Sequence, residues 1–533
     1  MPILKTILLT SAAGLATLSA ALAADLPAAK AVPIEYVRVC TAYGAGFFYI
    51  PGTDTCLRIS GRARAEYGYQ TSYSRNPGSG TGPGDLAGFI TRLRFNVDAR
   101  TQTGYGTLRA FLRLDAGSRT GIPTMHSGTQ NRIGNAFQAT GIDAFGRNQN
   151  YINTDKAFIQ FAGITAGRAS SFFDFYAHDF EFIASTMNSN LGSTNLLAYT
   201  GKFGDGFTAT LSMEDPVFRR TPLYVPGGTQ AGATVGPAPV YIGYDAFGAP
   251  TRYAFADMIQ RSRMPDFVGT LRYDSAWGSA QLSAALHEVN TGGFASAAGG
   301  AETAAVAVTP DRPETRYGWA VQGGLKINLP FLAPGDTLYL QGAYGEGAQL
   351  YTGYSAYTGS YIGNTSSIQG SAFGQYFNDA VLNPFTGKLE LSTSFTAVAS
   401  MLHYWSPEWR SALFASYGEL AFARGSRAAQ GSYYDLIGAG PGTPGTRFFA
   451  LNQVLRDNYR VVVGGSLIWS PVKDLDIGVE GIYTQYGVQS GRVLDLSKAP
   501  FQNAAYVNTL ANPVRTKTSE DVVQIRARIQ RDF

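Results

Sequence analysis

Apolar and polar residues alternate along much of the chain, in segments of about ten residues that end at Gly, Asp, Asn or Pro. The clearest segment is 523–530, which reads VQIRARIQ and places Val, Ile, Ala and Ile on one face. Residues 91–100, which read TRLRFNVDAR, show the same alternation. Because successive side chains of a β-strand point to opposite faces, this period of two predicts strands with one apolar and one polar face.

Sixteen segments carry the pattern, and we expect each of them to form a strand. They lie near 57–68, 88–101, 105–116, 154–162, 163–170, 195–203, 206–214, 266–276, 278–287, 316–328, 335–346, 389–404, 409–423, 458–470, 474–486 and 519–532. From the second segment onward, tight turns such as 102–104 and 405–408 alternate with loops of about 19 to 51 residues.

The regular alternation of long loops with short turns indicates the fold class. A soluble β-sandwich has no reason to keep every long loop at one end, whereas a transmembrane β-barrel has short periplasmic turns and long external loops. Because lipid cannot satisfy backbone hydrogen-bonding groups, a membrane-spanning sheet has to close on itself. The sequence therefore predicts an all-β fold over 57–533, a 16-stranded antiparallel transmembrane β-barrel with long external loops and short periplasmic turns.

The amino-terminal residues 1–24 read MPILKTILLTSAAGLATLSAALAA. One lysine, an apolar stretch and a small-residue cleavage site are typical of a secretory signal peptide, and we assign these residues to one. A retained membrane anchor is the alternative, although the stretch is short and polar for a span of about 20 apolar residues. Residues 25–56 are then expected to form a periplasmic N-terminal segment ahead of the barrel.

This segment contains the only two cysteines of the chain, Cys40 and Cys56. Export to an oxidising compartment favours a disulfide between them. Loop-closure entropy gives such a bridge a stabilising effect of about 3 kcal/mol. Two unpaired buried thiols are the alternative, and a metal pair is less favoured because no histidine or third cysteine lies nearby.

Composition narrows the classes of function. Charged residues make up 15% of the chain and aromatic residues 13%, a combination that excludes intrinsic disorder. The net charge of +4 is spread along the chain, so no nucleic-acid partner is expected. The histidines, at 126, 178, 287 and 403, lie far apart in the sequence. No catalytic, cofactor-binding or metal site can be assembled, and we expect a protein that is not an enzyme.

The chain ends at Phe533, directly after the last alternating segment. An aromatic carboxy-terminus resembles the membrane-insertion signal of bacterial outer-membrane barrels. Aromatic residues such as Tyr67, Tyr105, Trp277 and Trp405 also stand at strand ends, where the membrane interface favours them. Their general suitability for strands is the alternative explanation.

Residues 40–61 read CTAYGAGFFYIPGTDTCLRISG, which resembles the N-terminal signature of the alphaproteobacterial general porin family. Shorter resemblances lie at 166–175, which read AGRASSFFDF, and at 206–215, which read GFTATLSMED. The long loops 215–265 and 347–388 match no pattern of that family. The resemblance implies a sixteen-stranded barrel in the bacterial outer membrane, a homotrimer, and passage of small hydrophilic solutes.

If the apolar face of each strand contacts lipid, the polar face points into the lumen. Barrel closure places the first three strands beside the last one, and we assign eight arginines on the polar faces of these strands to one wall. They are Arg62, Arg64, Arg92, Arg94, Arg109, Arg113, Arg526 and Arg528. We expect these residues to form a basic pore wall, the arginine wall, because guanidinium groups stay charged at any relevant pH.

In family members the third long loop, here 171–194, folds into the barrel and narrows it. This constriction loop carries Asp174, Asp179 and Glu181 among aromatic residues. We expect the aromatic side chains to pack on the wall and the carboxylates to face the arginine wall across the pore. The transverse field would then favour polar solutes. An external loop with ordinary surface acids is the alternative.

These observations predict an outer-membrane porin that forms a water-filled channel for passive diffusion of small hydrophilic solutes and ions. Its expected partners are those solutes, the outer-membrane lipid and, from the resemblance, two further copies of the chain. A substrate-specific channel is one alternative. A barrel that only anchors a surface adhesin or receptor is another, because several loops are long. A secreted soluble β protein is a third.

Overall fold

The structure is a computed structural model. It describes residues 38–70, 87–120, 141–142, 148–176, 178, 180–182, 184–189, 192–221, 223–224, 238–248, 250–256, 258, 260–292, 294–297, 307–309, 314–354, 377–426, 450–451, 455–494 and 516–533. The assigned signal peptide (1–24), the start of the periplasmic segment (25–37) and Asp179 lie outside the described residues.

Sixteen strands form the barrel, and each overlaps one of the segments that the alternation predicts. They are β1 (Cys56–Gln70), β2 (Ala87–Thr103), β3 (Gly106–Thr120), β4 (Asn148–Phe161), β5 (Ile164–Ser170), β6 (Ser193–Phe203), β7 (Phe207–Glu214), β8 (Asp266–Ser275), β9 (Gly278–Asn290), β10 (Thr315–Asn328), β11 (Thr337–Glu346), β12 (Thr393–Tyr404), β13 (Trp409–Ala421), β14 (Asn458–Val472), β15 (Leu475–Val488) and β16 (Ser519–Asp532).

Each of these strands pairs antiparallel with its neighbour in sequence, from β1–β2 to β15–β16. The last strand then pairs with the first, with Arg62 opposite Asp532 and Gln70 opposite Gln524. The sheet is therefore closed, and the predicted 16-stranded antiparallel barrel is confirmed.

Side chains alternate between the lumen and the outer surface, as the period of two predicts. On β16, Ile525 and Ile529 are exposed on the outer surface, whereas Arg526 and Arg528 between them are buried on the lumen side. Because residues paired across antiparallel strands point to the same side of the sheet, the register extends this assignment around the barrel.

The seam between β1 and β16 is closed by the carboxy-terminal residue. Gly61 N–H donates to Phe533 O at 2.8 Å, and Phe533 N–H donates to Gly61 O at 3.1 Å. A Cβ atom added to Gly61 would lie 2.4 Å from the Phe533 ring, so the ring covers the glycine on the outer face. Only glycine leaves room for this contact.

The disulfide between Cys40 and Cys56 is confirmed, with the two Cα atoms 6.0 Å apart. It ties the described residues ahead of the barrel to the start of β1. Phe47 is buried beside the bridge, and the Arg100 guanidinium lies 5.0 Å from the centre of its ring. Because Arg100 points into the lumen, this loop lies at the short-turn end of the lumen.

The long loops pack on each other at the opposite end of the barrel. The loop after β7 and the loop after β11 share one buried cluster with a residue of β9. It contains Leu223, Val240, Met258, Val289, Ala380, Leu382 and Leu389. Tyr241 N–H also donates to Pro384 O at 2.7 Å, which joins the same two loops.

Short elements complete the described structure. They are the strands Phe48–Tyr49, Gly141–Ile142, Ala238–Tyr244, Pro250–Ala256, Phe294–Ala297, Ala307–Thr309, Ala380–Leu382, Leu389–Leu391, Val493–Leu494 and Thr516–Lys517, the 3₁₀ helix Pro216–Arg219 and the α-helix α1 (Gln349–Thr352). Within the described ranges, no helix has the length and apolar character needed to cross a membrane.

Candidate functional site

The constriction loop, expected over 171–194, follows β5, runs along the lumen face of β8 to β15 and ends where β6 begins at Ser193. Polar side chains of the wall hold its backbone on this path. Tyr176 N–H donates to Gln341 Oε1 on β11 at 3.1 Å. At the far end of the path, the loop tip, Phe182 N–H donates to the Glu480 carboxylate on β15. The described part of the loop therefore lies against one half of the barrel wall, and β16 with β1 to β7 forms the other half.

After this tip the loop turns back along the same half of the wall. Met187 N–H donates to Ser416 Oγ on β13 at 3.1 Å. The Ser189 hydroxyl then donates to Gln322 Oε1 at 2.8 Å, and Gln322 Nε2 donates to Phe173 O at 2.8 Å. One glutamine on β10 thus holds both the outgoing and the returning part of the loop.

Glycines on the lumen face make room for the aromatic side chains of the loop. A Cβ atom on Gly324 would lie 2.2 Å from Phe175 Cδ1, and one on Gly478 would lie 2.7 Å from Phe182 Cζ. Any side chain at either glycine would occupy the space of a loop phenylalanine. The inner wall is therefore shaped to seat this loop.

Asp174, at the start of the constriction loop, contacts the loop that follows β7. Its Oδ1 lies 2.7 Å from Arg219 Nη2. The buried Arg219 guanidinium also donates to Ser189 O at 2.6 Å and lies 5.1 Å from the centre of the Tyr351 ring. This ion pair joins the constriction loop to the neighbouring long loops.

Glu181 is buried inside the constriction loop. Its carboxylate accepts hydrogen bonds from Tyr176 Oη at 2.9 Å and from Thr186 N–H at 2.8 Å. Burial raises the pKa of Tyr176 well above its ordinary value, and the neighbouring Glu181 charge adds to the rise. The phenol therefore stays protonated and donates, so that Glu181 holds the two sides of the loop tip together.

The arginine wall is continuous, because its eight residues lie on the adjacent strands β16, β1, β2 and β3. Arg62 stands opposite Arg94, and Arg64 stands opposite Arg92. Four of the eight, at or near the level of the loop tip, are buried: Arg64, Arg92, Arg526 and Arg528. The other four lie closer to the short turns, with side chains 14–26% exposed: Arg62, Arg94, Arg109 and Arg113.

The carboxylates that contact these arginines belong to the barrel strands. The pairs and their nitrogen–oxygen distances are Glu66–Arg526 at 3.1 Å, Asp98–Arg109 at 2.9 Å, Asp115–Arg94 at 2.9 Å, Asp155–Arg113 at 3.5 Å and Asp532–Arg62 at 2.6 Å. Asp115 also pairs with Arg92. We expected this counter-charge from the constriction loop, but strand register places acids and arginines side by side on one wall.

The loop tip contacts the arginine wall through an aromatic ring. The Arg528 guanidinium carbon lies 3.6 Å from the centre of the Phe182 ring, in a cation–π contact. The buried Phe182 thus touches both Gly478 on β15 and Arg528 on β16. The tip of the loop ends where the arginine wall begins.

A closed barrel, a loop lying on its inner wall and a basic wall across the lumen are features of membrane channels. A model of the Porin subfamily matches residues 25–511 of this chain. The chain belongs to this porin subfamily. It is a general porin channel of the bacterial outer membrane.

Relatives of the porin agree with this assignment. Porin Omp2b of Brucella abortus strain 2308 is 32% identical over 346 residues, which cover 61% of this chain and 80% of the relative. Porin Omp2b of Brucella suis biovar 1 strain 1330 is 32% identical over 345 residues, with the same coverage.

Among solved structures, the outer membrane channel DcaP of Acinetobacter baumannii superposes with a TM-score of 0.49 at 13% identity, over 91% of this chain and 99% of that chain. Pseudomonas putida OprB superposes with a TM-score of 0.43 at 10% identity, over 90% of this chain and 94% of that chain.

Several residues of the site were missed by reasoning from the sequence. Gln322 and Gln341 hold the constriction loop, Gly324 and Gly478 seat it, and Arg219 pairs with its first carboxylate. The glutamines and glycines occupy lumen-facing positions of the alternating pattern, which is a signal the sequence offers. Arg219 lies in a long loop, where the pattern gives no orientation.

Proposed function

We propose that small hydrophilic solutes and ions diffuse passively between the constriction loop and the arginine wall, without any catalytic step. The observation that carries this proposal is the position of the loop. Its described residues cover the lumen face of β8 to β15, and its tip ends at Arg528. A solute that crosses the barrel at this level then has β1 to β4 on one side and the loop on the other.

Conductance through a planar lipid bilayer tests the proposal. We expect the detergent-purified native porin to give large, ohmic single-channel steps, because a water-filled lumen conducts in proportion to voltage. Absence of steps from protein shown to be folded by circular dichroism would contradict an open channel. The barrel would then serve as an anchor for an adhesin or receptor, which is the rival suggested by the long loops.

A substrate-specific channel is the second rival, and the same recording distinguishes it. Different small solutes enter a general pore with little preference. Each of them then lowers the ion current only in proportion to the volume that it occupies. A specific site instead produces block that saturates at low concentration with one solute alone. We expect no saturable block by neutral sugars, because the stacked lumen rings of Phe111 and Phe158 already contact the Arg109 guanidinium.

We also propose that Asp174, Asp179 and Glu181 lower the anion preference of the pore. Charges within about 10 Å of a permeating ion act on it even when they are paired, because screening is incomplete over that distance. We expect the double variant Asp174→Asn/Asp179→Asn to shift the reversal potential toward anions in a salt gradient. An unchanged reversal potential would contradict this role.

Glu181 needs a separate variant, because its carboxylate also holds the loop tip. Glu181→Gln keeps the shape of the side chain but weakens the bonds from Tyr176 and Thr186. We expect it to raise the single-channel conductance as well as shift the reversal potential. The single variant Asp179→Asn serves as its control, since a pure charge effect changes selectivity with little change in conductance.

We propose a homotrimer, with the outer faces of β4, β5 and β6 in the subunit interface. Register places Arg168 and Asn195 side by side on the outer surface, and Arg168 Nε donates to Thr154 O at 2.9 Å. A charged side chain on the lipid face costs about 2–4 kcal/mol near the bilayer midplane. Contact with another subunit avoids this cost, and the family resemblance supports three copies.

We propose further that residues 1–24 are removed on export and that 25–56 stay on the periplasmic side. The disulfide supports export and the periplasmic position of 25–56, because Cys40 and Cys56 pair at the short-turn end of the barrel. Mass spectrometry of the outer-membrane protein tests the cleavage. A mature chain that starts at or near Asp25 is the expected result, and a chain that still begins with Met1 would contradict it.

A further inference from the structure

The charge of the lumen is uneven on the two sides of the constriction loop. The loop contacts Gln341 on β11, Ser466 on β14 and Glu480 on β15, and these contacts define its level in the barrel. Lumen-facing residues between this level and the short turns enclose a space that we call the basic vestibule. By the usual orientation of such barrels the vestibule opens to the periplasm.

Basic residues outnumber acidic ones around the vestibule. Eleven lumen-facing strand residues there are basic: Arg58, Arg62, Arg94, Arg100, Arg109, Arg113, Lys156, Lys202, Arg272, Lys326 and Arg410. Six are acidic: Asp98, Asp115, Asp155, Asp274, Asp476 and Asp532. The excess is positive even if every carboxylate is ionised.

The arginines of the vestibule remain partly accessible to water. The side chains of Arg62, Arg94 and Arg113 are 14%, 15% and 24% exposed, and that of Arg100 is 27% exposed. These values contrast with Arg526 and its neighbours at the loop tip, which are buried. Solute in the vestibule can therefore meet guanidinium groups, whereas those at the loop tip are buried.

The same arginines follow one another along β1, β2 and β3, in successive cross-strand rows counted from the short turns. Arg100 stands opposite Arg109 nearest the short turns, Arg58 and Arg113 follow on the next two levels, and Arg62 stands opposite Arg94. Two residues along a strand span about 6.6 Å, which is about the reach of an arginine side chain. An anion can therefore contact the next guanidinium before it leaves the last one.

We infer that the porin favours small anions, and among them those that carry a carboxylate or phosphate group. Guanidinium groups match these oxyanions in geometry and bind them through paired hydrogen bonds. A positively charged lumen with low-dielectric walls also concentrates anions at its mouth. This inference rests on the proposed function, because it describes what an open channel prefers.

Reversal potentials of the native porin in a potassium chloride gradient test the inference. We expect the permeability of chloride to exceed that of potassium, and phosphate to pass in preference to a cation of similar size. A channel that prefers potassium would overturn the inference while leaving the proposed function intact. Failure to conduct at all, by protein shown to be folded, would instead overturn the proposed function.

Paired variants locate the effect. The double variant Arg58→Gln/Lys326→Gln removes two vestibule charges on opposite walls, and we expect it to lower the chloride-to-potassium permeability ratio about twofold. Arg531→Gln is the matched control, because Arg531 pairs with Leu475 and Ala63 on the outer face of the barrel. Arg58→Lys, which keeps the charge, should retain the ratio. Equal ratios in the double variant and the control would overturn the role of the vestibule.

Discussion

At the residue scale, the most informative positions are neighbouring glycines that meet different surroundings. Gly323 and Gly324 are adjacent on β10, so one faces the outer surface and the other the lumen. A Cβ atom on Gly323 would have no atom within 4 Å, whereas one on Gly324 would lie 2.2 Å from the Phe175 ring. The packing of the Phe175 ring therefore requires a glycine at 324, whereas no contact requires one at 323.

This pair makes a direct test of how the constriction loop is seated. We expect Gly324→Ala to displace the Phe175 ring, raise the single-channel conductance and cost about 1–3 kcal/mol of stability through overpacking. Conductance steps and thermal unfolding in detergent measure the two effects. Gly323→Ala should leave both unchanged. Equal behaviour of the two variants would show that the loop does not depend on this contact.

At the element scale, the barrel depends on closure between its first and last strands. The Phe533 ring packs on Gly61, and the backbone groups of these two residues bond to each other. Two neighbouring pairs continue the seam inside the lumen, since Arg62 binds Asp532 and Arg64 Nε donates to Gln530 Oε1 at 2.9 Å. Phe533 thus takes part in the closing contact, and its role as a membrane-insertion signal stays a prediction.

Substitution of the terminal residue tests both roles. We expect Phe533→Ala to lower the amount of porin in the outer membrane several-fold, because the ring that covers Gly61 is lost. Phe533→Tyr keeps an aromatic ring and should behave like the wild type. Quantification of outer-membrane fractions gives the result. Normal levels of the alanine variant would remove Phe533 from both insertion and closure.

At the scale of the whole molecule, the outer surface is not uniform. The outer faces of β7 to β14 carry apolar residues such as Leu211, Leu271 and Leu413, which are well exposed. The outer faces of β4 to β6 carry Arg168 and Asn195 among exposed apolar residues such as Ile159 and Leu197. The polar pair Arg168 and Asn195 marks the side of the barrel on which we propose the subunit contact.

Substitution of the outward arginine distinguishes a subunit contact from a lipid contact. If Arg168 lies in the proposed interface, Arg168→Leu should lower the temperature at which the native oligomer dissociates on a semi-native gel. If it faces lipid, the same change should stabilise the barrel, since it removes a charge from the membrane. Leu413→Ala, on the opposite outer surface, should leave the dissociation temperature unchanged.

The sequence by itself determined the barrel. Strand positions, their number and their lumen faces all follow from alternation with period two, because lipid outside and water inside impose the same pattern on every strand. The disulfide follows from export, and the eight arginines of the wall follow from closure of the sheet. These features depend on neighbours along one strand or on strands joined in a known order.

Only the tertiary structure decided which groups meet inside the barrel. The pairing of Asp174 with Arg219, the burial of Glu181 and the seat of Phe182 on Gly478 all join residues that lie far apart in the sequence or in irregular loops. A loop has no period that fixes the direction of its side chains. The sequence therefore does not reveal whether a carboxylate of the constriction loop faces the lumen or holds the loop together.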